Sequence, residues 1–159
     1  MKVQTRIFNR QFITLFLCLF CACYGMYCLN AVFPLYIGTL GGSAGDVGVM
    51  SACYTVTACL FRILSGNRAA VMSRKKLILL GGAVLAVGIA GLALVREYIL
   101  FIVFRGIQGA GYAMMTVGAS TAVIDVLPPE RLGEGLGISL LASSIALSVS
   151  PAIGILLSR

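Results

Sequence analysis

The sequence predicts an all-α protein of the polytopic membrane class, a bundle of about five transmembrane helices. Three observations support this prediction: an apolar composition, five long apolar runs, and cationic residues concentrated in alternate connectors. Of the 159 residues, 60% are hydrophobic and only 11% are charged, whereas soluble domains carry about 25% charged residues. The chain therefore has too little polar surface to enclose a water-soluble core.

The five apolar runs predict the five helices one by one. Each run approaches or exceeds the ~20 residues that a helix needs to cross a bilayer. Lipid offers no partners for backbone N–H and C=O groups, so each run is expected to be helical. The first run is longer than the apolar segment of a signal peptide and is interpreted as the first span. The predicted spans are approximately 12–37, 47–68, 77–95, 98–126 and 136–157.

The distribution of Lys and Arg among the connectors predicts the orientation in the membrane. The N-terminus, the second connector and the fourth connector together carry Lys2, Arg6, Arg10, Arg68, Arg74, Lys75, Lys76 and Arg131. The first connector, GTLGGSAGD, has no cation and is expected to be a flexible external turn; the third carries Arg96, and Arg159 follows the fifth run. Because cationic residues accumulate on the cytoplasmic side, we expect a multi-pass plasma-membrane protein with a cytoplasmic N-terminus.

Composition also excludes several classes of function. Histidine is absent, which removes a common metal ligand and the usual acid or base at neutral pH, and no catalytic constellation appears. We therefore expect no enzyme activity, no cofactor and no metal site. The cations form no basic stripe, so nucleic acid is not an expected partner. Cys18 and Cys21 form a C-x-x-C pair, for which helix packing is favoured and a redox or metal role is the alternative.

One arginine lies inside a predicted span. Arg105 belongs to the fourth run, and Gln108 follows one turn later on nearly the same face. A charge at the bilayer centre costs from about 2.5 to more than about 10 kcal/mol. Two interpretations follow. Either Arg105 faces a transport cavity on a polar strip lined by Gly109 and Gly111, or it extends outward to the interface while Gln108 bonds a neighbouring helix.

Glycines recur inside the later spans and predict close helix packing. In lipid, small residues permit two helix backbones to approach each other. We expect spans three, four and five to pack tightly on this basis. The glycines that carry the expectation include Gly81, Gly82, Gly88, Gly91, Gly106, Gly109, Gly111 and Gly118.

The segment RGIQGAGYA, Arg105 to Ala113, resembles the fourth-helix motif R-x-x-Q-G-x-G-x-A of the major facilitator superfamily of transporters. That resemblance implies a role in proton coupling and transport for Arg105, Gln108 and Gly109. It covers nearly the whole chain, as the first five helices of a usual twelve. A partial major facilitator fold is implied, with residues 1–159 as an incomplete N-terminal transmembrane bundle.

The segment SGNRAAVMSRKK, which follows span two, resembles the superfamily's loop motif G-x-x-x-D-R-x-G-R-[KR]. Gly66, Arg74 and Lys75 are in register and are implied to form a conformational gate. Three positions depart from the pattern: Ala70 replaces the aspartate of the motif, Val71 replaces the arginine, and Ser73 replaces the glycine. Since alanine cannot join a charge network, the gate is either held differently or impaired. The alternative interpretation of the cations is a topology anchor.

The segment ALSVSPAIG, in span five, resembles the motif G-x-x-x-G-P-x-x-G of proton-coupled exporters. Pro151 and Gly154 match, and Ser150 is a small replacement for glycine. Proline removes one ladder bond, so a bend is expected here. At the end of helix one, LNAVFPLYI is similar to the drug and metabolite exporter group, and Asn30 is the candidate cavity residue.

Together these signals predict a secondary active transporter, with proton-coupled efflux of a small organic molecule by alternating access. The expected partners are that substrate, protons, the lipid bilayer and a missing C-terminal half of the transporter. The alternative is a non-transporting membrane fragment or assembly partner derived from such a transporter. The altered loop and the five-helix length favour this alternative.

Overall fold

The computed structural model describes residues 9–69, 71–95 and 97–157. Five long α-helices account for most of them: α1 (Arg10–Thr39), α2 (Ala44–Ala69), α3 (Arg74–Leu94), α4 (Tyr98–Val126) and α5 (Leu132–Leu157). All five are long and apolar enough to cross a membrane, and the described residues contain no β-strand. The predicted all-α class is confirmed. Outside the described residues lie Ala70 of the loop signal and Lys2, Arg6, Arg96 and Arg159 of the orientation argument.

Local hydrogen bonds fix where α1 and α2 begin. Asn9 Oδ1 accepts a hydrogen bond from the Phe12 N–H at 2.7 Å and caps α1. Ser43 N–H donates to Asp46 Oδ2 at 2.7 Å, and Asp46 N–H donates to Ser43 Oγ at 3.3 Å, which is a reciprocal capping box. Gly41, with a φ of 79°, supplies the left-handed turn before it. The first connector is therefore mostly helix ends and caps, and only residues 40–43 lie between the two helices.

A short helical turn leads from α4 into α5. Pro128 precedes the 3-10 helix Pro129–Arg131, and α5 begins at Leu132. Proline lacks an N–H but suits the first position of a helical turn. Arg131 and Glu134 form an exposed ion pair with an N···O distance of 3.0 Å, which contributes little stability in this position. The helix thus starts before the predicted span at residue 136.

Residues Met1–Leu35 and Ala119–Arg159 form one compact unit, here called the terminal unit. Its apolar core contains Phe12, Val123 and Leu127, none more than 7% exposed. Partly buried apolar side chains pack around this core, namely Leu15, Val126, Leu132, Leu136 and Ile138. The start of α1, the end of α4 and the start of α5 are therefore held together by apolar contact.

Residues Tyr36–Gly118 form a second compact unit, here called the central unit. It contains α2, α3 and the larger part of α4. Half of the most apolar 18-residue stretch of α4 is buried, compared with 11–28% in the other helices. Of the five described helices, α4 is therefore best able to keep a polar side chain away from lipid.

Glycines bring α3 and α4 into backbone contact within the central unit. A Cβ added to Gly81 would lie 2.9 Å from the Gly111 carbonyl oxygen, and one added to Gly88 would lie 2.8 Å from the Gln108 nitrogen. Such an approach requires small residues at the crossing. The expected tight packing is confirmed for α3 and α4, although Gly82 does not take part, since its added Cβ would meet only Met115 Sδ at 4.0 Å.

Candidate functional site

Arg105 lies inside α4 and is enclosed by the protein. Its side chain is 2% exposed and that of Gln108 is 0% exposed. Arg105 Nη1 donates a hydrogen bond to Gln108 Oε1 at 2.7 Å, so the two side chains share one helix face, as their spacing predicts. This charge-assisted bond offsets part of the cost of keeping a guanidinium in apolar surroundings.

Tyr54 of α2 forms a second part of the environment of Arg105. Arg105 Cζ lies 5.2 Å from the Tyr54 ring centroid, within the ~6 Å range of a cation–π contact. The Tyr54 and Tyr112 rings are 6.5 Å apart between centroids and tilted by 38°. Sequence reasoning missed Tyr54, because nothing in the spacing of α2 indicates which of its faces meets α4. The one indication in the sequence was that a tyrosine, with its polar hydroxyl, lies inside a predicted span.

Gly109 allows α2 and α4 to approach at this point. A Cβ added to Gly109 would lie 3.2 Å from Tyr54 Cδ2 and 3.3 Å from the Ala58 nitrogen, which is tighter than ordinary van der Waals contact. Cys53, directly before Tyr54 in α2, donates a weak hydrogen bond from Sγ to the Ile102 carbonyl of α4 at 3.5 Å. Gly109 therefore belongs to the site through packing, since it lets Tyr54 lie over the guanidinium.

The predicted gate residues lie where α2 ends and α3 begins. Gly66 is exposed, and a Cβ added there would meet nothing within 4 Å. Arg74, the first residue of α3, is half-buried, and Lys75 is exposed. Cations in the first turn oppose the positive end of the helix dipole. Local helix stability therefore does not explain them, and the predicted roles as a gate or as a topology anchor both stay open.

The residues predicted for the bend in helix five belong to the terminal unit. The Ser150 side chain is 0% exposed, and its hydroxyl donates to the Ala146 carbonyl. The helix continues through Pro151, which cannot supply the next ladder bond. A Cβ added to Gly154 would lie 2.9 Å from Cys28 Sγ and 3.1 Å from the Cys28 oxygen. Gly154 is therefore needed for the close approach of α5 to α1.

Asn30, the cavity candidate, is a half-buried residue of α1. It stands four residues before Pro34, which lies inside the same helix. Because proline has no N–H, the ladder bond to the Asn30 carbonyl cannot form, and α1 is locally weakened at this point. The predicted residues thus fall into several groups. One surrounds Arg105, one lies at the α2–α3 junction, and the others are the helix-five residues and Asn30 of α1.

Comparison with known proteins decides the family. A family model described as the Major Facilitator Superfamily matches residues 15–159. The chain belongs to this superfamily. The matched range includes the Arg105 motif, the loop signal and the helix-five signal. With its five membrane-length helices, this member of the major facilitator superfamily is a multi-pass membrane protein of a transporter family.

Two relatives within the superfamily come from Staphylococcus aureus. Quinolone resistance protein NorA (strain MRSA252) is 22% identical over 146 residues, which cover 92% of this chain and 38% of that protein. The staphylopine export protein (strain Mu50 / ATCC 700699) is 28% identical over 130 residues, covering 80% of this chain and 32% of that protein. The chain therefore spans 32–38% of the length of these relatives.

Proposed function

We propose that this superfamily member takes part in proton-coupled efflux of a small organic molecule by alternating access. The superfamily match and the names of the relatives, a quinolone resistance protein and a staphylopine export protein, support export. The observation that carries the proposal is the buried arginine of α4. Arg105 is held by Gln108 and Tyr54 inside a membrane-length helix. Placing a charge there is costly, and charged residues within membrane helices typically mark functional sites.

The role of Arg105 follows from the chemistry of its side chain. A guanidinium stays charged in proteins, so it does not itself carry the transported proton. It favours the deprotonated, negative form of any acid that comes near it. The five acidic residues of the chain are Asp46, Glu97, Asp125, Glu130 and Glu134, which lie at helix ends or in connectors. We therefore assign the proton-carrying group to the substrate or to another part of the transporter.

The remaining predicted residues fit a moving helix bundle. Pro151 and Gly154 would let α5 bend against α1, and Arg74 and Lys75 would hold the α2–α3 end on the cytoplasmic side. We propose that the N-terminus lies in the cytoplasm and that the protein resides in the plasma membrane, as the distribution of cations favours. Transporters of repeated halves bind substrate between those halves, so we propose that the chain works together with a further set of helices.

The test uses inverted membrane vesicles from cells that express the protein from its own locus. Respiration acidifies the vesicle interior, and addition of a quinolone should release protons, read from a pH-sensitive dye. Arg105→Gln should abolish this release, whereas Arg62→Gln, which changes an exposed arginine of α2, should preserve it. Release that survives Arg105→Gln would contradict the assigned role.

A second candidate function is a non-transporting assembly partner derived from such a transporter. The departures from the loop motif at Ala70, Val71 and Ser73 favour it. In the same vesicles, unaltered protein that releases no protons with a quinolone or staphylopine, and that copurifies with another membrane protein, would favour this candidate.

A further inference from the structure

A cavity of about 270 Å³ lies within the central unit, close to the α2–α3 junction. Phe61 of α2, Met72 of the connector, Leu77 of α3 and Met114 of α4 form most of its wall. This volume could hold roughly nine groups the size of a water molecule. A wall of this kind suits a hydrocarbon segment and offers few partners to ordered water.

Two polar side chains of α2 face the same cavity. Ser65 is 3% exposed and lines the cavity. Arg68 follows at the i+3 position, so both side chains lie on one helix face. The Ser65 hydroxyl and the Arg68 guanidinium are both hydrogen-bond donors, so an acceptor inside the cavity has two donors on this helix face.

The cationic residues near the α2–α3 junction favour the binding of an anion there. Arg68 and the three cations Arg74–Lys76 lie near the junction, while the acidic residues described in this unit are Asp46, at the start of α2, and Glu97, directly before α4. Asp46 is about 33 Å from Arg68 along the helix, at 1.5 Å per residue. That separation is several Debye lengths at physiological salt, so Asp46 does not neutralise the charge of Arg68.

We propose that the cavity binds an anionic phospholipid. One acyl segment packs against Phe61, Leu77 and Met114, and the phosphate accepts hydrogen bonds from the Arg68 guanidinium and the Ser65 hydroxyl. An apolar wall that includes the cation Arg68 matches an anionic lipid better than a free anion, because a free anion would leave the apolar wall uncovered. Lipid binding can be measured without transport, so the test does not depend on the proposed function.

The test measures lipid binding to the purified 159-residue chain in detergent by native mass spectrometry. Phosphatidylglycerol and phosphatidylcholine with identical acyl chains are titrated in parallel. We expect one phosphatidylglycerol to be retained in preference to phosphatidylcholine. Arg68→Gln should lower that preference about fivefold, the effect of one cation near an anionic lipid, and Arg62→Gln, a matched exposed arginine of the same helix, should leave it unchanged. Ser65→Phe should fill the cavity and reduce binding of both lipids.

Several outcomes would overturn the proposal. Equal retention of the two lipids would remove charge recognition, and an equal loss in Arg62→Gln would show diffuse attraction only. Competition by glycerophosphate at the concentration of the lipid would indicate a free-anion site. A dimer that excludes lipid would indicate that a second copy covers this face. Circular dichroism of each variant separates loss of binding from loss of helix, and a folded Ser65→Phe chain that retains the lipid would also contradict the site.

Discussion

Gly88 of α3 offers a sharp test of how the Arg105 site is held. A Cβ added there would lie 2.8 Å from the Gln108 nitrogen and 2.9 Å from its Cα. Carbon contacts are favourable at about 3.5–4.0 Å, so α3 must move by roughly 0.6 Å or more against the backbone of Gln108. Gly88→Ala should therefore carry an overpacking cost of about 1–3 kcal/mol and displace the side chain that accepts from Arg105.

Gly82→Ala on the same helix is the matched control, because its added Cβ would have only Met115 Sδ at 4.0 Å. Both substitutions gain about 1 kcal/mol of helix propensity, so this contribution cancels in the difference between the two variants. Unfolding in mixed micelles of increasing dodecyl sulfate content, followed by circular dichroism, gives both free energies. Gly88→Ala should be less stable than Gly82→Ala by about 1–3 kcal/mol. Equal stabilities would refute the close crossing of α3 and α4.

Three further predictions use the same unfolding assay. Ser43→Ala should cost about 1 kcal/mol through loss of the α2 cap, whereas Ser73→Ala should cost little, because the described Ser73 side chain makes no capping bond; equal losses would contradict the capping box. Tyr54→Leu should lower the free energy of unfolding by about 2 kcal/mol, because the buried cation–π contact with Arg105 is lost. Tyr54→Phe keeps the ring and should retain most of that stability, so similar losses in the two variants would show that the ring is not responsible. Gln108→Leu should cost about 1.5–3 kcal/mol, the range for a hydrogen bond to a charged group, and an unchanged stability would mean that another acceptor replaces it for Arg105.

The sequence predicted the helices well and their ends less well, for a physical reason. Hydrocarbon sets a minimum length for an apolar helix, and this signal extends over some twenty residues of each run. Helix ends depend on single hydrogen bonds. The Ser43 and Asp46 capping box follows the S-x-x-D pattern that precedes an apolar run, so it was available in the sequence, yet the glycines around it suggested a flexible turn.

The candidate site shows the same division between local and non-local information. The pair Arg105 and Gln108 could be predicted because both residues belong to one helix, whose 3.6-residue period places them on one face. Tyr54 could not, because its contact with Arg105 depends on which face of α2 meets α4. Periodicity identifies the faces of a helix but not its partners. The glycine at 109 marked a close crossing without indicating the helix on the other side.

Within the central unit, one face of α4 packs closely against the backbone of α2 and another against the backbone of α3. Gly109 packs against Tyr54 of α2, and Gly111 packs against α3 at Gly81. Because packed backbones do not deform gradually, α2, α3 and this part of α4 are expected to move as one body. Solvent or substrate can then reach Arg105 only from a face that neither α2 nor α3 covers, or after the Tyr54 contact breaks. If the helices rock as rigid bodies, the Tyr54–Arg105 contact stays intact and access must come from the face that α2 and α3 leave uncovered. The proposed mechanism therefore requires that this contact persist through the transport cycle.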